Sequence, residues 1–242
     1  MNIKKHIPNT ITCCNLLCGS GAVLLATQEQ FVYAFLLMTA GAVFDLFDGM
    51  TARLLHVSSP LGLQLDSLAD DITFGLAPAM MVCCYLRPAT GMWSVLALAM
   101  TAFSALRLAK FNIDDRQRSG FIGLATPANA IFWGSVCCIP ELLTETSNPK
   151  AVGTILLATC ALSCYLLLAE IPFFSFKFHS LAWKENKVPY TFLIVTAILL
   201  LCSIATACIL GMPHFVFAGS AACILWYVVL NISLYLSRKK HI

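Results

Sequence analysis

The sequence predicts an all-α fold, a polytopic bundle of about eight transmembrane helices. Three observations lead there. Of the 242 residues, 59% are hydrophobic and only 11% charged, with a mean hydropathy of +0.82, whereas soluble domains carry about a quarter charged residues. Apolar runs near the roughly 20 residues that a bilayer crossing requires recur along the whole chain. The basic residues, finally, sort into two unequal sets when those runs are threaded alternately.

Polar breaks set the elements in order. A short run at 12–27 ends at Gln28-Glu29-Gln30, and the next, 31–53, ends where Arg53 opens a polar stretch to Pro60. The third, 64–86, stops at Arg87-Pro88, and the fourth, 92–111, at the stretch from Asn112 to Gly120. Runs at 122–143 and 151–171 are divided by Thr144 to Lys150 and followed by Lys177 to Lys187. The last two, 188–210 and 214–236, are parted by Gly211-Met212-Pro213-His214 and closed by Arg238-Lys239-Lys240. Six spans would result if one or two segments lay at the interface. Residues 1–11 read as a basic interfacial segment and 1–242 as a single membrane domain; Met1 to His6 lacks the pattern of a cleaved signal peptide.

Charge gives the orientation. With the N-terminus in the cytoplasm and eight crossings, one side receives Lys4, Lys5, Arg53, Lys110, Arg116, Arg118, Lys177, Lys184, Lys187, Arg238, Lys239 and Lys240. The other receives only Arg87 and Lys150, the asymmetry of the positive-inside rule. Both termini are then cytoplasmic. A net charge of +3 is too small to point to nucleic acid. The 12 cysteines fall mostly in apolar runs, with no CxxC pair and no zinc spacing, and read as reduced, buried small hydrophobes.

Four aspartates stand out against this background. Asp45 and Asp48 are three apart, Asp66 and Asp70 four apart, so on helices each pair shares one face. A hairpin of the two helices aims four carboxylates at one point near the cytoplasmic surface. Four uncompensated charges in a low dielectric are prohibitively costly, so protons or divalent cations must accompany them. Hard oxygen donors favour Mg2+ or Mn2+. Gly49, Ala52 and Gly62 allow close approach of a backbone or bulky ligand, and Arg53 offers planar donors to phosphate. Together these suggest a nucleotide diphosphate.

The stretch Asp45-x-x-Asp48-Gly49-x-x-Ala52-Arg53, then Gly62-x-x-x-Asp66-x-x-x-Asp70, matches every fixed position of the CDP-alcohol phosphatidyltransferase motif. Pro8-Asn9-Thr10-Ile11-Thr12 with Asn15 resembles that family's N-terminal segment. Asp66 to Ala79, Arg107-Leu108-Ala109-Lys110-Phe111-Asn112, and Phe121 to Ala128 resemble its phosphatidylserine synthase branch. The likeness covers about the first half of the chain. Lys110 stands where arginine is common, Thr73 where serine is common, and Ala125-Thr126 inside the usual Gly-Leu-Pro-x-Pro stretch; these departures bear on the acceptor and leave the reaction class untouched.

The resemblance implies a donor, CDP-diacylglycerol, and an acceptor, L-serine, giving phosphatidylserine and CMP, with glycerol 3-phosphate, an inositol phosphate or choline as alternative acceptors. By the same resemblance Asp45, Asp48, Asp66 and Asp70 hold two divalent ions, and Asp70 takes the acceptor's proton. Asn9, Thr12, Gly49, Ala52, Arg53 and Gly62 would bind the CDP moiety. Arg107, Lys110 and Asn112 would bind the acceptor or its phosphate, and Arg116 and Arg118 lipid phosphates. A homodimer in a prokaryotic inner membrane completes the expectation. A rival of another class, a divalent-cation or proton-coupled transporter, also uses intramembrane carboxylates.

Simpler readings attach to several residues. Arg107 and Lys110 also fit a positive-inside boundary, and Asn9 and Thr12 helix caps. Asp71, about 100° around a helix from Asp70, stays outside the metal set. Asp114 and Asp115 read as solvated loop, Glu170 as a helix end, Cys160 and Cys164 as packing. His56, His179 and His214 read as isolated loop histidines.

Overall fold

The structure is a computed structural model and describes residues 6–57, 59–114, 116, 121–174 and 187–239. It is helical throughout, apart from one pair of two-residue strands. Helix α1 (His6–Thr27) turns through Glu29, at φ 58°, into α2 (Phe31–Leu54), and the two pack along their lengths. Helix α3 (Pro60–Asp70) begins at a built N-terminus: Ser59 Oγ accepts from Gly62 N at 3.0 Å and Pro60 occupies the first turn. It continues through a π-helical segment (Asp71–Leu76) into α4 (Ala77–Thr90).

At Gly91 the chain reverses. Its φ of 60° and ψ of −131° fall where glycine is at home, and a 3-10 segment (Gly91–Leu98) leads into α5 (Ala99–Ile113). The reversal shows in side chains distant in sequence: Cys83 Sγ lies 3.8 Å from Ser94 Oγ, and Asn112 Nδ2 donates to Ser67 Oγ at 2.8 Å. The helical stretch Pro60–Ile113 is therefore two antiparallel legs.

Among the described residues, six helical runs are long and apolar enough to cross a membrane: α1, α2, the folded stretch Pro60–Ile113, α8 (Pro149–Leu168), α9 (Lys187–Leu210) and α10 (Phe215–Lys239). The expected run at 122–143 differs. Its helix, α6 (Thr126–Cys137), has 12 residues, roughly 18 Å at 1.5 Å per residue, against a hydrocarbon core of about 30 Å. It nevertheless runs from one end of the bundle to the other. Thr126 meets Arg107 at the foot of α5, while Cys138, just past the helix, meets the Phe31 carbonyl at the start of α2. Surrounded by other helices, α6 keeps Asn129, Ala130, Trp133, Ser135 and Cys137 buried. Counting it and both legs of the hairpin, eight helical segments run through the bundle among the described residues. Residues 6–11, expected as interfacial, are the first turns of α1 and continuous with it.

A short helix, α7 (Glu141–Thr144), links α6 to α8. On the opposite end, β1 (Phe121–Ile122) pairs antiparallel with β2 (Pro172–Phe173), Phe121 facing Phe173. Gly123, at φ 79°, sits under the carbonyls of Leu166, Leu167 and Ala169, where a Cβ would come within 2.6 Å of the Leu167 oxygen.

The core is built where α1, α2, α4 and α6 meet, from Met38, Phe74, Met81, Leu86, Met100 and Trp133. Two buried polar side chains find partners across it. Trp133 Nε1 donates to Ser163 Oγ at 3.0 Å, and Tyr85 Oη to the Ile139 carbonyl at 2.6 Å. The outward faces of α8 and α9 expose Ile155, Leu162, Leu201 and Ile209, the surface a lipid-facing helix presents. All 12 cysteines are free.

Candidate active site

The carboxylates come from α2 and α3, joined by the turn after Leu54. Their spacing does what the sequence requires: Asp45, Asp48 and Asp66 each offer an oxygen, and these atoms lie within 4.8 Å of one another. The Asp45 carboxylate is also near enough to that of Asp70 to interact with it, so the fourth acid adjoins the other three. Asp66 Oδ1 is buried without a hydrogen-bond partner among the described residues. Three hard oxygen donors at this separation, one of them otherwise unsatisfied, fit a divalent ion such as Mg2+ or Mn2+.

Helix α1 supports the acids from behind. Thr12 Oγ1 lies 2.6 Å from Asp48 Oδ2, and Asn15 Nδ2 donates to Asp70 Oδ1 at 3.2 Å. Asn15 is in turn held by Thr73, whose Oγ1 lies 2.8 Å from Asn15 Oδ1. Thr12 and Asn9 lie inside α1, so neither is a helix cap. Asn15 and Thr73 are the residues that sequence reasoning passed over. Asn15 stood in the quoted N-terminal segment, and a buried amide on a membrane helix is a signal in itself.

Beside the acids opens a cavity of ≈ 220 Å³ lined by Asn9, Thr12, Asp48, Gly49, Ala52, Gly62 and Asp66, with Pro8, Val57, Ser59 and Leu63. Gly49 faces open space, with no atom within 4 Å of where a Cβ would stand. A Cβ on Gly62 would come within 3.1 Å of both Asn9 Oδ1 and Ser59 Oγ. Of the six residues expected to contact a CDP moiety, five line this cavity. The sixth, Arg53, is exposed and donates from Nε to the Gly49 carbonyl at 3.0 Å, so it caps its own helix beside the cavity.

The three residues expected at the acceptor part company. Arg107 is 6% exposed, near enough to Asp70 to feel its charge, with Nη1 3.4 Å from Thr126 Oγ1 and its guanidinium carbon 5.9 Å from the Phe111 ring centre. A buried arginine is not a boundary charge in lipid headgroups. Lys110 pairs with Glu170 at 3.5 Å on the surface, and Asn112 bonds Ser67. Arg116 chelates Asp114, with Nη2 to Oδ2 at 2.8 Å, and these contacts raise its pKa further. Asp114 is thereby engaged, not merely solvated; Asp115, Arg118 and His179 lie outside the described residues.

Asp71 faces away from the acids toward Ser104, against Gly75. His214, expected to be isolated, pairs with Glu141 through Nδ1 to Oε1 at 3.1 Å, at the end of the bundle far from the acids. The signal was invisible because 73 residues separate the two. His56 occupies the turn after α2 at φ 51°.

Known proteins resemble this chain over most of its length. A protein of Bacillus subtilis named CDP-diacylglycerol–serine O-phosphatidyltransferase is 38% identical over 179 residues, 73% of this chain and 94% of the relative. A protein of the same name from Methanocaldococcus jannaschii is 29% identical over 184 residues, 70% of this chain and 86% of its own length. A Helicobacter pylori protein so named is 36% identical over 127 residues, 51% of this chain and only 54% of the relative. The model of the CDP-alcohol phosphatidyltransferase family matches residues 5–234, spanning every side chain of the site just described, and the chain belongs to that family.

Proposed function

We propose that this protein transfers the phosphatidyl group of CDP-diacylglycerol to L-serine, releasing CMP, with two divalent ions, Mg2+ or Mn2+, at the acids. The observation that carries the reading is the cluster of Asp45, Asp48, Asp66 and Asp70 opening onto a cavity with a bare Gly49 wall. The name of the Bacillus relative, nearly all of which aligns with this chain, supports the choice of acceptor.

The residues divide the work. The cavity takes the cytidine diphosphate, with Gly49, Ala52 and Gly62 allowing it against the helices and Asn9 and Thr12 offering polar contacts. Asp45, Asp48 and Asp66, joined by Asp70, hold the metal, which when bound neutralises the diphosphate and the charge left on departing CMP. Asp70, oriented by Asn15, accepts the serine hydroxyl proton. The serine oxygen then bonds to the phosphorus bearing diacylglycerol, as the bond from that phosphorus to the CMP oxygen breaks. Arg107, buried beside Asp70, pairs with the serine carboxylate and brings the hydroxyl toward the base. Lys110, Asn112 and Arg53 serve the approach at the membrane surface, where their present hydrogen bonds are exposed.

The reaction belongs to the cytoplasmic face. The end of the bundle that carries the acids also carries Arg53, Lys110, Arg116 and Lys239, whereas Arg87 and Lys150 belong to the other end. The family resemblance extends to a homodimer, which cross-linking in native membranes tests. For the activity, the protein in detergent is incubated with CDP-diacylglycerol and Mn2+ or Mg2+, and CMP is measured with and without L-serine. Release that needs both serine and metal is expected. Release that instead needs another alcohol replaces the acceptor, and no release with any alcohol from folded protein overturns the reading.

A further inference from the structure

Asn15 is wholly buried, and its amide can present either NH2 or oxygen to Asp70. Only the first donates a hydrogen bond; the reverse sets oxygen against oxygen. The carboxylate selects the first, and the other side of the amide supports it. Thr73 Oγ1 stands 2.8 Å from Asn15 Oδ1 and 3.1 Å from the Asn15 backbone carbonyl. Both neighbours are acceptors, so the single hydroxyl hydrogen of Thr73 points at them. With its oxygen held by Thr73, Asn15 turns Nδ2 toward Asp70.

Thr73 is unusual among the threonines here. Thr39, Thr90, Thr154 and Thr206 each bond the carbonyl four residues back on their own helix. Thr73 lies in the π-helical segment that begins directly after Asp70, and its hydroxyl crosses to α1 instead. Two other helices are cut away to admit it. A Cβ on Gly19 of α1 would stand 2.8 Å from Thr73 Cα, and one on Gly41 of α2 2.7 Å from Thr73 Cγ2 and 2.9 Å from Asn15 Oδ1. Neither approach is possible with a larger residue unless the helices part. A π turn at this place widens the helix where a functional side chain must be aimed.

We infer that Thr73 is a positioning residue: through Asn15 it fixes the carboxylate of Asp70 in the orientation that receives the acceptor's proton. The inference rests on the function proposed above, in which Asp70 is the base. It assigns turnover, and not substrate affinity, to a side chain that contacts neither substrate.

The test compares Thr73→Val, Thr73→Ser, Asn15→Leu and the Val/Leu double variant in metal-saturated, serine-dependent CMP release. Losing the Asn15 bond to Asp70, a charged group, which Thr73 supports, corresponds to a fall of about 10- to 100-fold. Thr73→Val is expected to lose that much in kcat, with KM for both substrates within about twofold of the parent. Thr73→Ser is expected to stay within about twofold in kcat. Because the two residues act as one chain, the double variant is expected to be no worse than the poorer single. Losses that multiply, a Thr73→Ser as poor as Thr73→Val, or a Thr73→Val with parental kcat would each overturn the inference. Should Thr73→Val fail to fold, Thr73→Ala, which leaves a void and no clash, carries the same expectations.

A second readout is independent of turnover. In protein labelled with 15N-asparagine, the Asn15 side-chain amide resonances are expected to move in Thr73→Val and to stay in Thr73→Ser. An unmoved resonance overturns the inference. If the parent protein releases no CMP the proposed function fails, while this measurement still judges the Thr73–Asn15–Asp70 chain.

Discussion

Replacing Thr12 with valine isolates one bond of the candidate metal centre. Thr12 and Asp48 are 3% and 6% exposed, and their 2.6 Å separation falls in the range of an O–H donating to a carboxylate, about 2.5–2.7 Å. The hydroxyl also lies 3.0 Å from the Pro8 carbonyl; with one hydrogen to give, the shorter, charged contact takes it. A hydrogen bond to a charged group contributes about 1.5–3 kcal/mol, which at about 1.4 kcal/mol per decade is roughly 10- to 150-fold. Groups that orient a metal ligand from behind typically account for about 10–100-fold in metal affinity. The two estimates agree, so Thr12→Val is expected to weaken Mn2+ binding by about that factor, and Thr12→Ser to leave it near the parent. Direct Mn2+ titration by electron paramagnetic resonance, together with metal-dependent CMP release, measures it. A role for Thr12 confined to contact with the cytidine diphosphate, in the cavity it lines, predicts the reverse. Unchanged Mn2+ affinity with a raised KM for CDP-diacylglycerol at saturating metal would refute the reasoning.

Three further expectations follow from other contacts. Gly49→Ala meets no atom within 4 Å and gains up to about 1 kcal/mol of helix propensity, so thermal stability should hold or rise while KM for CDP-diacylglycerol increases; an unchanged KM places the nucleotide elsewhere. Arg107→Gln keeps a polar group in the buried position beside Asp70 but removes the charge, and should raise KM for serine about tenfold or more with little change in that for CDP-diacylglycerol, read from initial rates over serine concentration. Tyr85→Phe breaks the 2.6 Å bond to the Ile139 carbonyl at the far end of the bundle, and should lower stability by about 1–3 kcal/mol in a denaturant titration while leaving kcat/KM at the parental value.

The parts of the molecule legible in the sequence are those governed by short-range rules. Asp45, Asp48, Asp66 and Asp70 are spaced by helical periodicity within two adjacent helices, so their convergence needs only one hairpin. Hydropathy found the eight segments because each is an apolar run between charged or polar breaks. It misjudged lengths where side-chain polarity and backbone geometry disagree. Asn9, Thr10 and Thr12 looked like the approach to a helix, but all three lie within α1, and Thr12 turns its hydroxyl inward to Asp48. The run 122–143 is mostly apolar, yet Pro127 places the start of α6 and Pro140 follows its end. Surrounding helices, not lipid, cover so short a helix.

What remained hidden is a matter of distance along the chain. Asn15 reaches Asp70 over 55 residues, Thr73 reaches Asn15 over 58, and His214 reaches Glu141 over 73. No local pattern encodes such pairings, because each partner alone is an ordinary polar residue on an apolar helix. The cost of burying it unpaired is what demands the other. That demand gives a rule for reading further membrane sequences: a polar side chain within an apolar run requires a named partner. Asn15, three residues beyond Thr12, is flanked by the glycine-bearing faces of α1 and α2 that meet at Thr73. The clustered acids are written in a motif; the packing behind them includes glycines at positions 19 and 41, which let a threonine from a third segment reach α1.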